Sequence, residues 1–199
     1  MIWQWLRATT IAAPLETVAV VLGLVYVALI YQRNRLGWIA GGISSAIYVY
    51  LAASARLPMQ STLQAYYVVM AVYGWMSWTA AQQQQADSGI STWPLRNHLL
   101  AAIAICVASL LSARWLALET HAAWPYLDSL TTCISLLATW MTARMKLENW
   151  LYWIVADAIT AYLFAAQGYL ISTGLFVAYL VIAVFGYVEW LRKYRQAGT

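Results

Sequence analysis

The stretch AVYGWMSW at residues 71–78 returns as AVFGYVEW at residues 183–190. The spacing of 112 residues, the difference between 71 and 183, holds without a gap over most of the chain. Aligned alanines and valines mean little in an apolar sequence, whereas aligned Trp, Tyr and acidic residues are rare by chance. The sequence therefore predicts a duplicated unit. The further pairs in this frame are Leu15 and Leu127, Glu16 and Asp128, Trp38 and Trp150, Tyr50 and Tyr162, and Tyr67 and Tyr179.

Composition predicts that this duplicated unit lies in a membrane. Hydrophobic residues make up 63% of the 199 residues and charged residues only 9%, whereas soluble domains have about 25% charged residues. The 12 Trp and 14 Tyr exceed what two interfacial aromatic belts require, so some are candidates for a binding cavity. The net charge of +4 comes from loop Lys and Arg, so we expect no nucleic-acid surface. The two cysteines have no metal-ligand spacing, and we expect neither a metal nor a cofactor.

Seven apolar runs have the length of about 20 residues that a spanning helix needs. One repeat spacing covers four of them, which predicts an all-α membrane protein with seven transmembrane helices in 3+1+3 order. The two three-helix repeats would then be parallel, as in SWEET-like carriers, at residues 15–81 and 127–191. Residues 82–126 would be the linker that contains the fourth helix. Duplicated bundles usually bind substrate between their halves near mid-membrane. The seven runs are 15–32, 37–54, 61–81, 97–115, 127–145, 149–167 and 172–191.

The distribution of Lys and Arg predicts the orientation. Eight of these residues fall on one side of the predicted spans and three on the other, and cytoplasmic loops carry the excess of positive charge. We therefore expect the N-terminus outside and the C-terminus in the cytoplasm. The first side has Arg33, Arg35, Arg96, Arg144, Lys146, Arg192, Lys193 and Arg195, and the second has Arg7, Arg56 and Arg114.

The sixth span carries the clearest polar stripe. At 100° per residue, Asn149, Trp150, Trp153 and Asp157 cluster on one helix face. An ionisable group at mid-bilayer is costly, so Asp157 marks a candidate functional site. Two indoles beside a carboxylate suit a flat, positively charged ring. The alternative is that both tryptophans belong to an interfacial belt and that Asp157 bonds a neighbouring helix.

Weaker polar stripes follow the fifth and third spans. Thr132 and Thr139 would line one wall of a hydrated cavity, although hydroxyls in membranes often bond only their own helix. Gln64 and Tyr67 share one face of the third span, and Tyr179 repeats Tyr67 in the seventh. The repeat frame aligns Asp157 with Ser45 and Trp153 with Gly41, so the predicted lining is asymmetric, as an asymmetric ligand requires. We expect His98 to face solvent or to cap its helix.

Two motifs resemble those of the PnuC family of bacterial vitamin transporters. One is Tyr73-Gly74-Trp75-Met76-Ser77-Trp78, and the other is Asn149-Trp150-x-x-Trp153-x-x-x-Asp157. The resemblance covers residues 15–195, essentially the whole chain. It implies that Trp150 and Trp153 stack on the substrate ring, while Asn149, Asp157 and Gln64 make polar contacts.

This resemblance implies uptake of nicotinamide riboside across the bacterial inner membrane by facilitated diffusion, with a cytoplasmic kinase trapping the substrate. The alternative is a thiamine uniporter of the same family, and riboflavin is carried by other close relatives. The residues do not separate these vitamins. An intramembrane enzyme is an alternative from another class, with Asp128 as the candidate second carboxylate. Sugar carriers are disfavoured, because their Pro-Gln dipeptide is interrupted in Pro58-Met59-Gln60. Oligomeric state, including a homo-oligomer, ion coupling and gating stay open.

Overall fold

The computed structural model describes the backbone of residues 2–54, 58–83, 89–119 and 124–197. Within these ranges the chain forms seven α-helices and no strand longer than an isolated bridge. This confirms the predicted fold class. The helices are α1 (Ile2–Tyr31), α2 (Leu36–Ser54), α3 (Pro58–Gln83), α4 (Leu95–Glu119), α5 (Pro125–Ala143), α6 (Asn149–Ala166) and α7 (Leu170–Ala197).

The chain divides into two compact units, Met1–Gln85 and Ala86–Thr199. In the first unit, α2 packs against both α1 and α3. In the second unit, α6 packs against both α5 and α7, and α4 packs against α5. The helix that we assigned to a linker therefore belongs to the second unit. The boundaries 15–81, 82–126 and 127–191 stay a prediction.

Within the described ranges, four of the seven helices are long and apolar enough to cross a membrane by length and composition. They include residues Pro14–Tyr31 of α1, all of α2, Leu95–Leu118 of α4 and Ser172–Ala197 of α7. The other three, α3, α5 and α6, carry the polar stripes. A spanning helix that lines a polar path needs fewer apolar residues than one that faces lipid on all sides. On α4, by contrast, Leu110, Leu111 and Leu118 are more than half exposed, as expected for a lipid-facing surface.

The turn between the first two helices of each repeat has the same backbone in both units. Arg33 (φ 60°) and Met145 (φ 49°) occupy equivalent positions, and both have the left-handed conformation that commonly ends a helix. In each turn the next residue donates a hydrogen bond to a carbonyl five residues earlier. The two bonds are Asn34 to Leu29 at 2.8 Å and Lys146 to Met141 at 2.9 Å. The left-handed residue explains why α5 ends at Ala143, two residues before the predicted end of its span.

Each unit also contains the same buried arrangement of two tryptophans and one glycine. In the first unit, the rings of Trp38 and Trp78 lie edge to face with centroids 5.7 Å apart. In the second, Trp150 and Trp190 do the same at 5.5 Å. All four indoles are at most 3% exposed. The duplication seen in the sequence is therefore a duplication of helix packing.

Candidate functional site

The candidate site lies on α6, which begins at Asn149 directly after the turn at 144–148. Asn149 and Asp157 are buried, and Trp153 is half-buried. Steps of four residues place these three side chains on one face of the helix, as predicted. Their surroundings differ, and so does what each can do.

The indole of Trp153 is held by a hydrogen-bond network that ends at the α5–α6 turn. Its Nε1–H donates to Thr142 Oγ1 at 3.3 Å. The Thr142 hydroxyl lies 3.0 Å from Asn149 Oδ1 and 2.8 Å from the Ala138 carbonyl oxygen, so its single proton is within reach of both acceptors. Asn149 Nδ2 donates to the Lys146 carbonyl at 2.6 Å. The Asn149 amide N–H is therefore bonded within the protein, and its Oδ1 lies within hydrogen-bond distance of the Thr142 hydroxyl.

Trp150, by contrast, is packed on its face and its edge by α7. A Cβ added to Gly186 would come within 2.7 Å of three ring atoms of Trp150, so the glycine lies directly against the indole face. The ring is 3% exposed, and its Nε1 has no hydrogen-bond partner among the described residues. Trp38 has the same packing against Gly74 and the same unpartnered Nε1. These contacts favour a role for Trp150 in packing over the predicted stacking on a substrate.

Asp157 is a buried carboxylate, 6% exposed, on the helix that the sequence predicts as the sixth transmembrane span. Among the residues that the structure describes, it has no hydrogen-bond or ion-pair partner. The predicted alternative, in which Asp157 bonds a neighbouring helix, therefore finds no support in the described part of the chain. A carboxylate in hydrocarbon is retained where it pairs with another group or marks a substrate path.

The hydroxyl groups on α5 behave in two ways. Thr139 is buried and donates to the Ser135 carbonyl at 2.7 Å, which is the self-bonding that we gave as the alternative for this stripe. Thr132 is half-buried and has no hydrogen-bond partner among the described residues. Of the two threonines, Thr132 therefore has the more available hydroxyl.

The remaining predicted residues are on α3 and α7. Gln64 and Tyr67 are half-buried on α3 in the first unit, where the ring of Tyr67 lies edge to face with that of Tyr66 at 5.8 Å. On α7, the ring centroids of Tyr179 and Phe176 are 5.8 Å apart. The ring of Phe176 stacks on that of Phe164 of α6, with centroids 5.4 Å apart. Contact of any of these residues with a substrate stays a prediction.

Sequence reasoning missed a polar cluster at the start of α4. His98 is partly buried, with Nδ1 3.0 Å from the hydroxyl oxygen of Tyr152 and Nε2 3.7 Å from Glu148 Oε1. The same Glu148 oxygen accepts the backbone N–H of Trp93 at 2.9 Å. The prediction that His98 faces solvent or caps its helix was wrong, because these contacts join α4 to the start of α6. The repeat carries no signal for this cluster, since α4 has no copy.

Residues 13–192 match the model of a family described as the nicotinamide mononucleotide transporter family. The chain belongs to this family. Two relatives match along most of their lengths. The riboflavin/roseoflavin transporter RibM of Streptomyces davaonensis is 27% identical, with 91% of this chain and 86% of RibM covered. The nicotinamide riboside transporter PnuC of Escherichia coli K12 is 23% identical, with 93% and 88% covered.

The crystal structure of the vitamin B3 transporter PnuC has the same fold. It matches with a TM-score of 0.72 and 23% identity, over 96% of this chain and 90% of that protein. The resemblance to the PnuC family is therefore confirmed. The chain is a multi-pass membrane transporter of small vitamin-like substrates and not an enzyme, as the sequence predicted.

Proposed function

We propose that this transporter carries nicotinamide riboside into the bacterial cell by facilitated diffusion. The observation that carries the proposal is the pair on α6 formed by Asp157 and Trp153. A buried carboxylate without a described partner lies one helical turn from an indole that no other described ring covers. Relatives named as nicotinamide riboside transporters support the same substrate.

The chemistry of nicotinamide riboside matches this pair. Its pyridinium ring is flat and carries a permanent positive charge, so an indole face attracts it by stacking and by cation–π interaction. This attraction is worth about 0.5–2 kcal/mol. The carboxylate of Asp157 would balance the ring charge in a medium where an unpaired ion is costly. Trp153 would thus orient the ring, and Asp157 would favour a cation over a neutral ring of the same size.

The other predicted residues take supporting roles in this proposal. Trp150 and Asn149 would shape the site indirectly, through α7 and through the α5–α6 turn. Thr132 and Tyr179 are candidates for contacts with the ribose hydroxyls, whereas Thr139 already bonds its own helix. Gln64 and Tyr67 remain candidates for polar contacts with the substrate.

Uptake by facilitated diffusion continues only if the free substrate inside the cell is removed. The family resemblance implies facilitated diffusion. Phosphorylation by a cytoplasmic kinase would retain the product, because a phosphorylated riboside no longer fits a site built for a cation.

The eight-to-three distribution of Lys and Arg supports an inner-membrane protein with its N-terminus outside and its C-terminus in the cytoplasm.

Riboflavin is the second candidate, because the relative RibM transports it by name and is 27% identical. Its isoalloxazine ring is neutral, so stacking on Trp153 would suffice and Asp157 would add little. Thiamine, a third vitamin with a cationic ring, would use both residues as nicotinamide riboside does.

Calorimetric titration of the purified protein with the three vitamins tests the proposal. We expect nicotinamide riboside to bind, and we expect Trp153→Ala to weaken binding by about 1–3 kcal/mol, the value of a lost base–aromatic stack. Binding of riboflavin alone would replace the proposed substrate with the second candidate. Unchanged affinity in Trp153→Ala would remove the α6 site.

A further inference from the structure

The two turns that join the first and second helices of each repeat differ in one network of side chains. In the second unit this network is Trp153, Thr142 and Asn149, joined by the hydrogen bonds given above. The equivalent residues of the first unit are Gly41, Ile30 and Gly37, none of which has a polar side chain. The first unit is therefore an internal control for what the network does.

The turn itself does not need the network. Its backbone bonds are present in both units, for instance Gly37 to Asn34 at 3.0 Å and Asn149 to Lys146 at 3.1 Å. The left-handed residue is also present in both. The first unit adds a different side-chain hydrogen bond, from the Leu36 N–H to Asn34 Oδ1 at 2.9 Å, which involves no residue of the helix that precedes the turn. The turn can therefore fold without a hydroxyl at the position of Thr142, and folding alone does not explain the link from Thr142 to Trp153.

The two units also fill the space beside the turn from opposite helices. In the first unit the Tyr26 ring of α1 covers Gly41, whose added Cβ would lie 2.7 Å from a ring carbon. In the second unit the residue equivalent to Tyr26 is Ala138, and the large ring is instead Trp153 on α6. The large aromatic ring of the second unit is therefore on α6, the helix that also carries Asp157. Its N–H donates a hydrogen bond to Thr142.

Burial alone does not explain why the Trp153 N–H is hydrogen-bonded to Thr142. The more deeply buried indole of Trp150 leaves its Nε1 without a partner among the described residues. The fold thus tolerates an unpaired indole N–H at one position of α6, yet pairs the N–H of the half-buried ring three residues later.

We infer that Thr142 is a positioning residue that fixes the orientation of the Trp153 indole for stacking on the flat ring of the transported molecule. A tryptophan side chain turns about two bonds, and a hydrogen bond from Nε1 to a rigid helix selects one orientation of its faces. Asn149 contributes to this positioning. Its Oδ1 lies within hydrogen-bond distance of the Thr142 hydroxyl, and its Nδ2 donates to the Lys146 carbonyl in the turn. This inference rests on the proposed function for its ligand, but the orientation of the indole can be measured without one.

Two variants at one position separate positioning from packing. Thr142→Val keeps the shape of the side chain and removes the hydroxyl, whereas Thr142→Ser keeps the hydroxyl and removes a methyl group. If Thr142 only packs, the serine variant is the more damaged of the two. If Thr142 positions Trp153, the valine variant binds more weakly while the serine variant binds like the wild type.

The first measurement is hydrogen exchange of the Trp153 indole N–H by nuclear magnetic resonance in detergent, with the resonance assigned by its loss in Trp153→Phe. We expect exchange to accelerate in Thr142→Val and to stay slow in Thr142→Ser. Equal exchange in both variants would overturn the inference whether or not any vitamin binds.

The second measurement is the affinity of the same variants for nicotinamide riboside and riboflavin. We expect Thr142→Val to bind roughly threefold to tenfold more weakly than the wild type, the effect of one lost hydrogen bond. Thr142→Ser should stay close to the wild-type affinity. Loss of binding in Trp153→Ala without loss in Thr142→Val would refute the positioning role and leave the proposed function standing. A wild-type protein that binds neither vitamin would refute the proposed function, and indole exchange would then decide the positioning role alone.

Discussion

Replacing Gly186 by alanine tests whether Trp150 is fixed by packing. The new Cβ would lie 2.7 Å from three ring atoms of Trp150, which is roughly 0.8 Å inside the usual carbon–carbon contact of about 3.5 Å. The indole is 3% exposed and its neighbour Trp190 is fully buried, so both rings are enclosed by the protein. Overpacking of this kind costs about 1–3 kcal/mol.

The assay is thermal unfolding of the purified protein in one detergent, followed by tryptophan fluorescence. We expect Gly186→Ala to lower the melting temperature by several degrees. Gly174→Ala is the matched control on the same helix, because an added Cβ there meets nothing within 4 Å. In the first unit, Gly74→Ala should be at least as damaging, since its Cβ would lie 2.3 Å from a ring atom of Trp38. Equal melting temperatures for Gly186→Ala and Gly174→Ala would refute the packing role of Trp150.

Three further substitutions follow from the second unit. Trp150→Ala should lower the free energy of unfolding by about 3–5 kcal/mol, as for a fully buried aromatic ring, and a melting temperature near the wild-type value would contradict this. Asp157→Asn should leave the melting temperature unchanged or higher, because it removes a buried charge, and should weaken the binding of nicotinamide riboside more than that of riboflavin. Equal losses for the two vitamins in calorimetry would argue against a role for its charge. Glu148→Ala should lower stability by about 1–3 kcal/mol, because the Trp93 N–H loses its acceptor. Glu148→Gln keeps an acceptor oxygen and is its control, so identical melting curves for the two variants would disprove the contact.

Much of the fold could be predicted from the sequence because hydropathy and duplication both act over long stretches. Seven apolar runs gave seven helices, and the aligned Trp and Gly residues correspond to equivalent contacts in the two units. Helix ends were less predictable. The end of α5 depends on the left-handed conformation of Met145, and the sequence does not signal this with a glycine or asparagine.

The candidate site was only partly predictable, because helical periodicity shows which residues share a face but not which of them pack within the protein. The stripe on α6 identified Trp153 and Asp157, but it grouped them with Trp150, whose role the repeat itself could have indicated. Trp150 has a copy in the first unit, Trp38. A residue that is present in both units contributes to the fold that the units share. Residues without a copy serve what differs between them, and by this criterion Trp153 and Asp157 are the better candidates. The link from Trp153 to Thr142 depends on how a turn pairs two helices, and helical periodicity within one helix does not reveal it.

Calorimetric titration of the wild type, Trp153→Ala and Asp157→Asn with nicotinamide riboside tests most directly whether this face of α6 binds the transported molecule. We predict that the wild type binds the vitamin, that both variants bind it more weakly, and that Asp157→Asn melts at or above the wild-type temperature. Wild-type affinity in both variants would contradict the claim that this face of α6 holds the transported molecule.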